Sequence, residues 1–230
     1  MIKIITKQLA QCSEGRNLCT LMLTGGSTAE NLYKEWALSN NWDCRRVVCY
    51  FGDERCVPPY HVDSNYGMTV RALFPNDIPT DCIVERIIAD SKYKDIEASR
   101  YDKLIPNSID ILLLSVGEDG HIASLFPESE VLMNVNQKMI YTVGPKPPYE
   151  RLTITPKVIK SAKFIIVMAS GKEKGRVLAK ALKDPNNINK YPVTLTIGTT
   201  WILDKLAANS FENENKKNKN NYKNTRIIYA

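Results

Sequence analysis

The chain has 230 residues, of which 43% are hydrophobic and 24% charged, and its formal net charge is +6. A chain of this length is typical of one domain, and it contains no run of about 18 apolar residues that would predict a membrane span. Residues 209–230 hold +3 of the net charge and residues 1–208 only +3, which argues against a nucleic-acid-binding surface and fits a local anion site.

The cysteines indicate a reducing compartment. None belongs to a C-x-x-C pair or lies near a histidine at metal-ligand spacing, and several lie in apolar runs, where they act as small hydrophobic residues. Residues 1–15 contain too short an apolar stretch for a signal peptide. We therefore expect a cytoplasmic protein with no metal site. The six cysteines are Cys12, Cys19, Cys44, Cys49, Cys56 and Cys82.

Apolar runs of strand length alternate with helix-like segments from residue 18 to residue 208. This alternation is typical of an α/β fold with a largely parallel sheet. Strands are predicted at 18–23, 46–51, 110–116, 164–169 and 193–197. Helices are predicted at 27–38, 64–74, 172–183 and 199–208.

The C-terminal residues differ from the rest in composition. Residues 209–224 hold seven Asn and four Lys, which cannot build a core. We therefore predict a single α/β domain over residues 1–208 and a disordered, Asn/Lys-rich tail over residues 209–230.

The turn after the first predicted strand, in LTGGSTAENLY, has the residues of an anion site. Ligands of such sheets collect beyond the carboxyl ends of the strands. Gly25 and Gly26 let the backbone approach a bulky anion, and Ser27 stands at a helix start, where the first N–H groups favour phosphate. An ordinary serine N-cap after a flexible turn is the alternative.

The second turn, FGDERCVPPYHVDSNYGM, places charged residues directly after an apolar strand. Arg55 could clamp a phosphate or a developing oxyanion there, although such charges are often simply solvated. We assign His61, in the same loop, a surface or structural role.

The third turn, LLLSVGEDGHIASLFP, carries the best candidate for proton chemistry. The chain has two histidines, no G-x-S-x-G pentapeptide and no clustered metal ligands. A histidine beside a carboxylate, here His121 and Asp119, is typical of a general base that activates water. A histidine that only caps a helix start is the alternative.

The fourth turn, ASGKEKGRVL, sets Lys172 and Lys174 at a helix start. Lysines oppose the helix dipole there, so their placement indicates a bound anion, unless the two are simply solvated. Arg151, in GPKPPYERLTIT, is a further candidate cation.

The four turns together resemble those of the 6-phosphogluconolactonases, which share a larger family with the glucosamine-6-phosphate deaminases. The resemblance implies a Rossmann-like, doubly wound, largely parallel sheet with helices on both faces. It implies hydrolysis of 6-phospho-D-glucono-1,5-lactone to 6-phosphogluconate, in the oxidative pentose phosphate pathway, without a cofactor. The motifs are GGST (25–28), GDERCVPPYHVDSNYGM (52–68), GEDGHIASLFP (117–127), PKPPYERLTIT (145–155) and GKEK (171–174).

The resemblance also implies roles for individual residues. His121 would take the proton from water, Asp119 would orient its imidazole, and Arg55 would stabilise negative charge on the lactone or its phosphate. The phosphate would be held by the remaining candidates, which are Gly25, Gly26, Ser27, Lys174 and Arg151.

One departure from the lactonase pattern keeps other functions open. Ile122 stands where the lactonases usually have Thr and resembles the deaminase form, whereas Ser124 to Pro127 follow the lactonases and lack the deaminase Asn-Glu-Pro. The alternatives are a glucosamine-6-phosphate deaminase and a non-catalytic sugar-phosphate-binding homologue. We expect a monomer with no nucleic-acid or membrane partner, and consider association or fusion with glucose-6-phosphate dehydrogenase.

Overall fold

The computed structural model describes residues 1–13, 18–39, 43–215 and 224–230. Strands and helices alternate along these residues, as the sequence predicts. The strands are β1 (Cys19–Leu23), β2 (Val47–Phe51), β3 (Asp53–Arg55), β4 (Ile83–Val84), β5 (Ile111–Ser115), β6 (Met139–Val143), β7 (Glu150–Ile154), β8 (Phe164–Ala169), β9 (Thr200–Leu203) and β10 (Arg226–Tyr229). The helices are α1 (Ile2–Ser13), α2 (Ser27–Leu38), α3 (Asn65–Leu73), α4 (Lys94–Leu104), α5 (Pro156–Ser161), α6 (Lys172–Lys183) and α7 (Lys205–Asn215).

The main sheet confirms the predicted doubly wound, largely parallel fold. In the described part of the chain it has the strand order β10-β9-β8-β5-β1-β2-β4, and its neighbouring strands pair in parallel. From β1 the chain adds strands first on the β2 side and then, from β5 onward, on the other side. The order therefore reverses between β1 and β5, and in such sheets ligands bind outside the carboxyl ends of the strands at this reversal.

The central strands are apolar because the sheet is covered by packed elements. Leu112, Leu113 and Leu114 of β5 are fully buried. A strand buried on both faces reads as a continuous hydrophobic run rather than an alternating one. The run of leucines thus fixes the strand whose carboxyl end leads to His121.

A second sheet, which the sequence did not predict, stands at the end of β2. It is antiparallel, with the order β3-β7-β6 in the described residues. Its register sets Arg55 of β3 directly opposite Arg151 of β7. Two arginines far apart in the sequence therefore become neighbours.

Two local predictions are wrong. Residues 193–197 lie largely in a 3-10 helix, Pro192–Thr196, and the strand follows as β9, so the predicted helix at 199–208 begins only at Lys205. Pro192 lacks an N–H, and the hydroxyl of Thr196 donates to the carbonyl of Val193, which favours the tight turn over a strand. The alternative role of His121 as the cap of a helix start is wrong as well, because the residues after it double back in a turn, in which Ile122 pairs with Val116 and Leu125.

The predicted disordered tail is also corrected in part. Helix α7 continues to Asn215, and β10 pairs in parallel with β9 as an edge strand of the main sheet. The apolar residues Phe211, Ile227 and Ile228 pack on the core and explain this order. Residues 216–223 lie outside the described residues, so disorder there stays a prediction.

The cysteines are not all free. Cys44 and Cys82 form a disulfide that joins the 3-10 turn before β2 to the residue before β4, whereas Cys12, Cys19, Cys49 and Cys56 are free thiols. This pair could not be predicted from the chain, because its members are 38 residues apart. No helix of the described residues is long and apolar enough to cross a bilayer.

Candidate active site

A cleft of about 610 Å³ opens beyond the carboxyl ends of β1 and β5, at the reversal of strand order. The loops after β1 and β5, the strand β3 and the start of α6 contribute to it. Its lining residues include Thr24, Gly25, Gly26, Asp53, Arg55, Asn65, Glu118, Asp119, His121, Phe126, Lys146 and Lys174.

The turn after β1 leads into a helix start that is open to an anion. Gly26 caps α2 with a φ of 91°, a left-handed conformation that favours glycine, and no side chain caps this helix end. Free N–H groups and the positive end of the helix dipole favour a negative group. Ser27, the first residue of α2, is exposed and does not line the cleft, so its backbone rather than its hydroxyl is available for binding.

Lys174 joins the starts of α2 and α6. Its Nζ donates a hydrogen bond to the hydroxyl of Thr28 at 3.1 Å, and Lys174 lines the cleft. Burial lowers the pKa of Lys174, while the nearby charge of Glu118 opposes that shift. A bound anion would relieve this desolvated ammonium group.

His121 and Asp119 form a close pair at the rim of the cleft. Nδ1 of His121 lies 2.5 Å from Oδ1 of Asp119, and the carboxylate can only accept, so Nδ1 donates. Nε2 is therefore the nitrogen left for proton transfer. Burial raises the pKa of Asp119, but the hydrogen bond and charge of His121 outweigh it and the pKa is lowered overall. Asp119 thus stays ionised beside the imidazole.

The loop that carries His121 depends on close packing. A Cβ on Gly117 would lie 2.1 Å from ring atoms of His121, so any side chain there would displace the imidazole. On another side, the ring of Phe126 lies 4.8 Å from the His121 ring, centroid to centroid. Backbone and aromatic ring together hold the histidine in one position.

Arg55 and Arg151 place two cations side by side without a carboxylate partner among the described residues. Arg55 donates to the carbonyl of Asp63 at 2.7 Å, and Arg151 to that of Lys146 at 3.3 Å. The Nε groups of both are buried without a hydrogen-bond partner in the described part of the chain. Burial lowers the pKa of Arg151, and the charge of Arg55 lowers it further. Arg55 lines the cleft, whereas Arg151 lies behind it.

Several lining residues were not among the sequence candidates, and they include the polar residues Asp53, Asn65 and Lys146. Lys146 follows Pro145 in a loop, and the sequence does not indicate that this loop reaches the cleft. Asp53 and Asn65 lie in the motifs that carry the family resemblance, and their buried side chains bond to each other. Paired polar residues inside such motifs were the signal that could have identified them.

The start of α3 is fixed against β3 by one buried carboxylate. Glu54 accepts hydrogen bonds from the backbone N–H groups of Arg55, Asn65 and Tyr66 and from the hydroxyl of Ser64, at 2.6 to 3.1 Å. Burial raises the pKa of Glu54, although the backbone hydrogen bonds oppose the rise. The rigid junction fixes where Arg55 and Asn65 enter the cleft.

Two other sequence features lie outside the cleft lining. Ile122 is fully buried, so the departure from the lactonase pattern at this position falls in the core. His61 lies in the loop after β3, where its Nδ1 accepts from the N–H of Asp63.

One group of potential metal ligands lies at the opposite, amino end of the sheet. Among the described residues, Cys12, Cys19 and Asp110 hold ligand atoms within 4.8 Å of one another, which the sequence spacing did not predict. Asp110 already accepts from the hydroxyl of Thr20 and from Lys163, at 2.9 and 2.7 Å. Both carboxylate oxygens are thus engaged, and this group lies away from the cleft.

Comparison with known proteins supports the same grouping. The family model described as "Glucosamine-6-phosphate isomerases/6-phosphogluconolactonase" matches residues 1–202. The 6-phosphogluconolactonase 3 of Saccharomyces cerevisiae is 32% identical over 227 residues, which cover 89% of each chain. The solved 6-phosphogluconolactonase of Trypanosoma cruzi is 28% identical, with a TM-score of 0.76 over 90% of each chain.

The fold alone does not separate the two activities of the family. A solved monomeric glucosamine-6-phosphate deaminase superposes with a TM-score of 0.77 over 91% of this chain and 93% of its own, at 20% identity. That similarity supports only the fold, whereas the match over residues 1–202 and the yeast relative extend to sequence. The chain belongs to the family of glucosamine-6-phosphate isomerases and 6-phosphogluconolactonases.

Proposed function

We propose that this protein hydrolyses 6-phospho-D-glucono-1,5-lactone to 6-phosphogluconate, as the names of its relatives suggest. The observation that carries the proposal is the pair of Asp119 and His121, 2.5 Å apart at a cleft that also receives Arg55 and Lys174. A single oriented base beside cations suits water attack on an activated ester that bears a phosphate.

The reaction follows from the orientation of the imidazole. With Nδ1 bound to Asp119, Nε2 takes a proton from water, and the resulting hydroxide attacks the lactone carbonyl carbon. The tetrahedral oxyanion then collapses and the bond from that carbon to the ring oxygen breaks. The imidazolium returns its proton to the ring oxygen, which leaves a hydroxyl and a carboxylic acid. The acid then ionises and releases one proton to solvent. Asp119 stabilises the imidazolium without taking its proton.

The cations divide the negative charges of the substrate between them. The backbone of Gly25, Gly26 and Ser27 at the start of α2, together with Lys174, binds the phosphate. Arg55 stabilises either the phosphate or the oxyanion. Arg151 stands opposite Arg55 on β7 and adds positive potential on this side of the cleft.

The deaminase alternative is less well supported at the site. The ring of Phe126 packs at 4.8 Å from the imidazole, in the segment where the deaminases carry the Asn-Glu-Pro acid. Hydrolysis by a single base needs no second acid there. Release of ammonia from glucosamine 6-phosphate would identify the deaminase activity, and saturable binding of 6-phosphogluconate without lactone turnover would identify a non-catalytic homologue.

The test is acid release from freshly prepared lactone, measured above the spontaneous rate. We expect His121→Ala to lower kcat by about 100- to 10,000-fold, because it removes the general base. The matched control is His61→Asn, since the asparagine oxygen can replace Nδ1 as acceptor for the N–H of Asp63. Wild-type turnover by His121→Ala, with the same thermal unfolding as the parent, would disprove the assignment of the base.

Assembly and compartment are part of the same proposal. We propose a monomeric enzyme of the cytoplasm, in line with the monomeric deaminase of the same fold. Association with glucose-6-phosphate dehydrogenase, which would supply the lactone, stays a prediction. Co-sedimentation of the two purified proteins would test it.

A further inference from the structure

Asn65 has a buried side chain with a single possible orientation. It is 1% exposed, and its Nδ2 donates to the backbone carbonyl of Asp53 at 2.8 Å and to the Asp53 carboxylate at 3.1 Å. Both acceptors are oxygens, so a flipped amide would set Oδ1 against two oxygens. The direction of Oδ1 is therefore determined by Asp53.

The amide oxygen of Asn65 is in close contact with the turn after β1. A Cβ on Gly25 would lie 1.8 Å from Oδ1 of Asn65, which means that one Cα hydrogen of Gly25 points at that oxygen. Oδ1 is sealed from solvent and has no hydrogen-bond partner among the described residues, so only this weak C–H contact remains. Asn65 lines the cleft, but this oxygen is sealed from solvent, so it is closed to a ligand and its close neighbour is the turn.

The same carboxylate connects Asn65 to the loop of His121. Asp53 accepts from Nδ2 of Asn65 through one carboxylate oxygen and from the hydroxyl of Ser124 through the other, at 2.7 Å. Ser124 lies three residues after His121. A chain of buried contacts thus runs from the loop of His121 through Asp53 and Asn65 to Gly25.

We infer that Asn65 is a positioning residue, which sets the backbone of the Gly25–Gly26 turn for phosphate binding relative to His121. The inference rests on the proposed function, in which this turn holds the phosphate of the substrate. It explains why residue 25 must be glycine, because the amide occupies the place of its side chain. A positioning residue of this kind acts on binding of the phosphate more than on proton transfer.

The test is a size exchange between the two positions. Gly25→Ala alone sets a methyl group against Oδ1, and we expect it to weaken binding of 6-phosphogluconate about 100-fold, since the displaced turn loses one or two hydrogen bonds to the charged phosphate. Asn65→Ala alone should weaken binding about tenfold, because the turn loses its support. In the double variant the methyl group has room, so binding should recover at least about tenfold from Gly25→Ala.

Ser124→Ala is the matched control, since it also removes a buried partner of the Asp53 carboxylate but does not touch Gly25. The effect of Gly25→Ala should persist in full in the Ser124→Ala background. If Asn65→Ala failed to rescue Gly25→Ala, or if Ser124→Ala rescued it equally, the inference would be overturned. Steady-state kinetics should separate binding from proton transfer in the same way: Asn65→Ala should raise KM and leave kcat nearly unchanged.

Two features of the design separate this inference from the proposed function. Calorimetry measures binding of 6-phosphogluconate without turnover. The single and double variants at positions 25 and 65 can therefore be compared even if the protein does not hydrolyse the lactone. If Gly25→Ala does not fold, the amide NMR signals of Gly25 and Gly26 replace it. They should shift in Asn65→Ala and not in Ser124→Ala; unchanged signals in Asn65→Ala would contradict the role of the amide.

Discussion

At the scale of single residues, the site depends on positions where no side chain fits. At Gly117 a Cβ would meet the imidazole of His121 at 2.1 Å, and at Gly25 it would meet the amide of Asn65 at 1.8 Å. At both positions the glycine backbone packs directly against a polar side chain and restricts its position. At these two positions the motif glycine therefore marks a close approach of the backbone to a side chain.

Gly117→Ala tests this view at the histidine. The added methyl group must push the imidazole away from Asp119, so we expect kcat/KM for the lactone to fall about 100-fold. Gly52→Ala is the matched control, because a Cβ there meets its nearest neighbours at 3.6 Å or more, an ordinary contact. Steady-state kinetics measure the effect, and thermal unfolding checks the fold. Equal activity of the two variants would show that the imidazole can move without loss.

At the scale of elements, two helix starts meet at the place proposed for the phosphate. Both α2 and α6 begin after a glycine with positive φ, and neither has a side-chain cap. Lys174 of α6 reaches Thr28 of α2, so its ammonium group lies between the two helix ends. At α6 the N–H of Gly171 already donates to the carboxylate of Asp204, at 3.2 Å. The positive end of α2 and the ammonium group of Lys174 repel each other, and a dianion between them removes that repulsion.

Lys174 should link phosphate binding to proton uptake. Its pKa is lowered in the free protein because of burial, and a bound dianion favours the charged form and raises the pKa again. The dissociation constant of 6-phosphogluconate should therefore rise as the pH increases through the lowered pKa of Lys174 in the free protein, which lies below the ordinary value of 10.5.

Calorimetry in buffers of different ionisation enthalpy would measure this proton uptake. In Lys174→Met the uptake should vanish and binding should be weaker at neutral pH. In Lys172→Met, at the same helix start but outside the cleft lining, the uptake should persist. The same pH dependence in wild type and Lys174→Met would exclude Lys174 as the linked group.

At the scale of the whole molecule, the sequence predicts what depends on local pattern. Helices α2 and α6 and strand β8 begin and end where predicted, because apolar spacing and glycine punctuation are local signals. The turn motifs also brought Gly25, Arg55, His121 and Lys174 to one cleft.

What the sequence did not predict depends on contacts between distant residues. The strand β3 has three residues and exists through pairing with β7, and the Cys44–Cys82 bond joins elements 38 residues apart. Asn65 is similar, because its proposed role follows from a direct contact with Gly25, 40 residues earlier in the chain. Composition was misleading at the C-terminus, where β10 lies beyond an Asn/Lys-rich segment.

Removal of residues 224–230 tests the contribution of that last strand. The strand pairs with β9 along four residues, and Ile227 and Ile228 pack on the core. Since about four backbone hydrogen bonds and some apolar burial are lost against a gain in chain entropy, we expect the free energy of unfolding to fall by about 1–3 kcal/mol. Urea unfolding of the truncated and full-length chains measures the difference. Because β9 and β8 lie between β10 and the cleft strands β5 and β1, kcat/KM of the folded protein should stay within about twofold. An unchanged unfolding midpoint would mean that the strand adds no stability, as the composition of the tail had suggested.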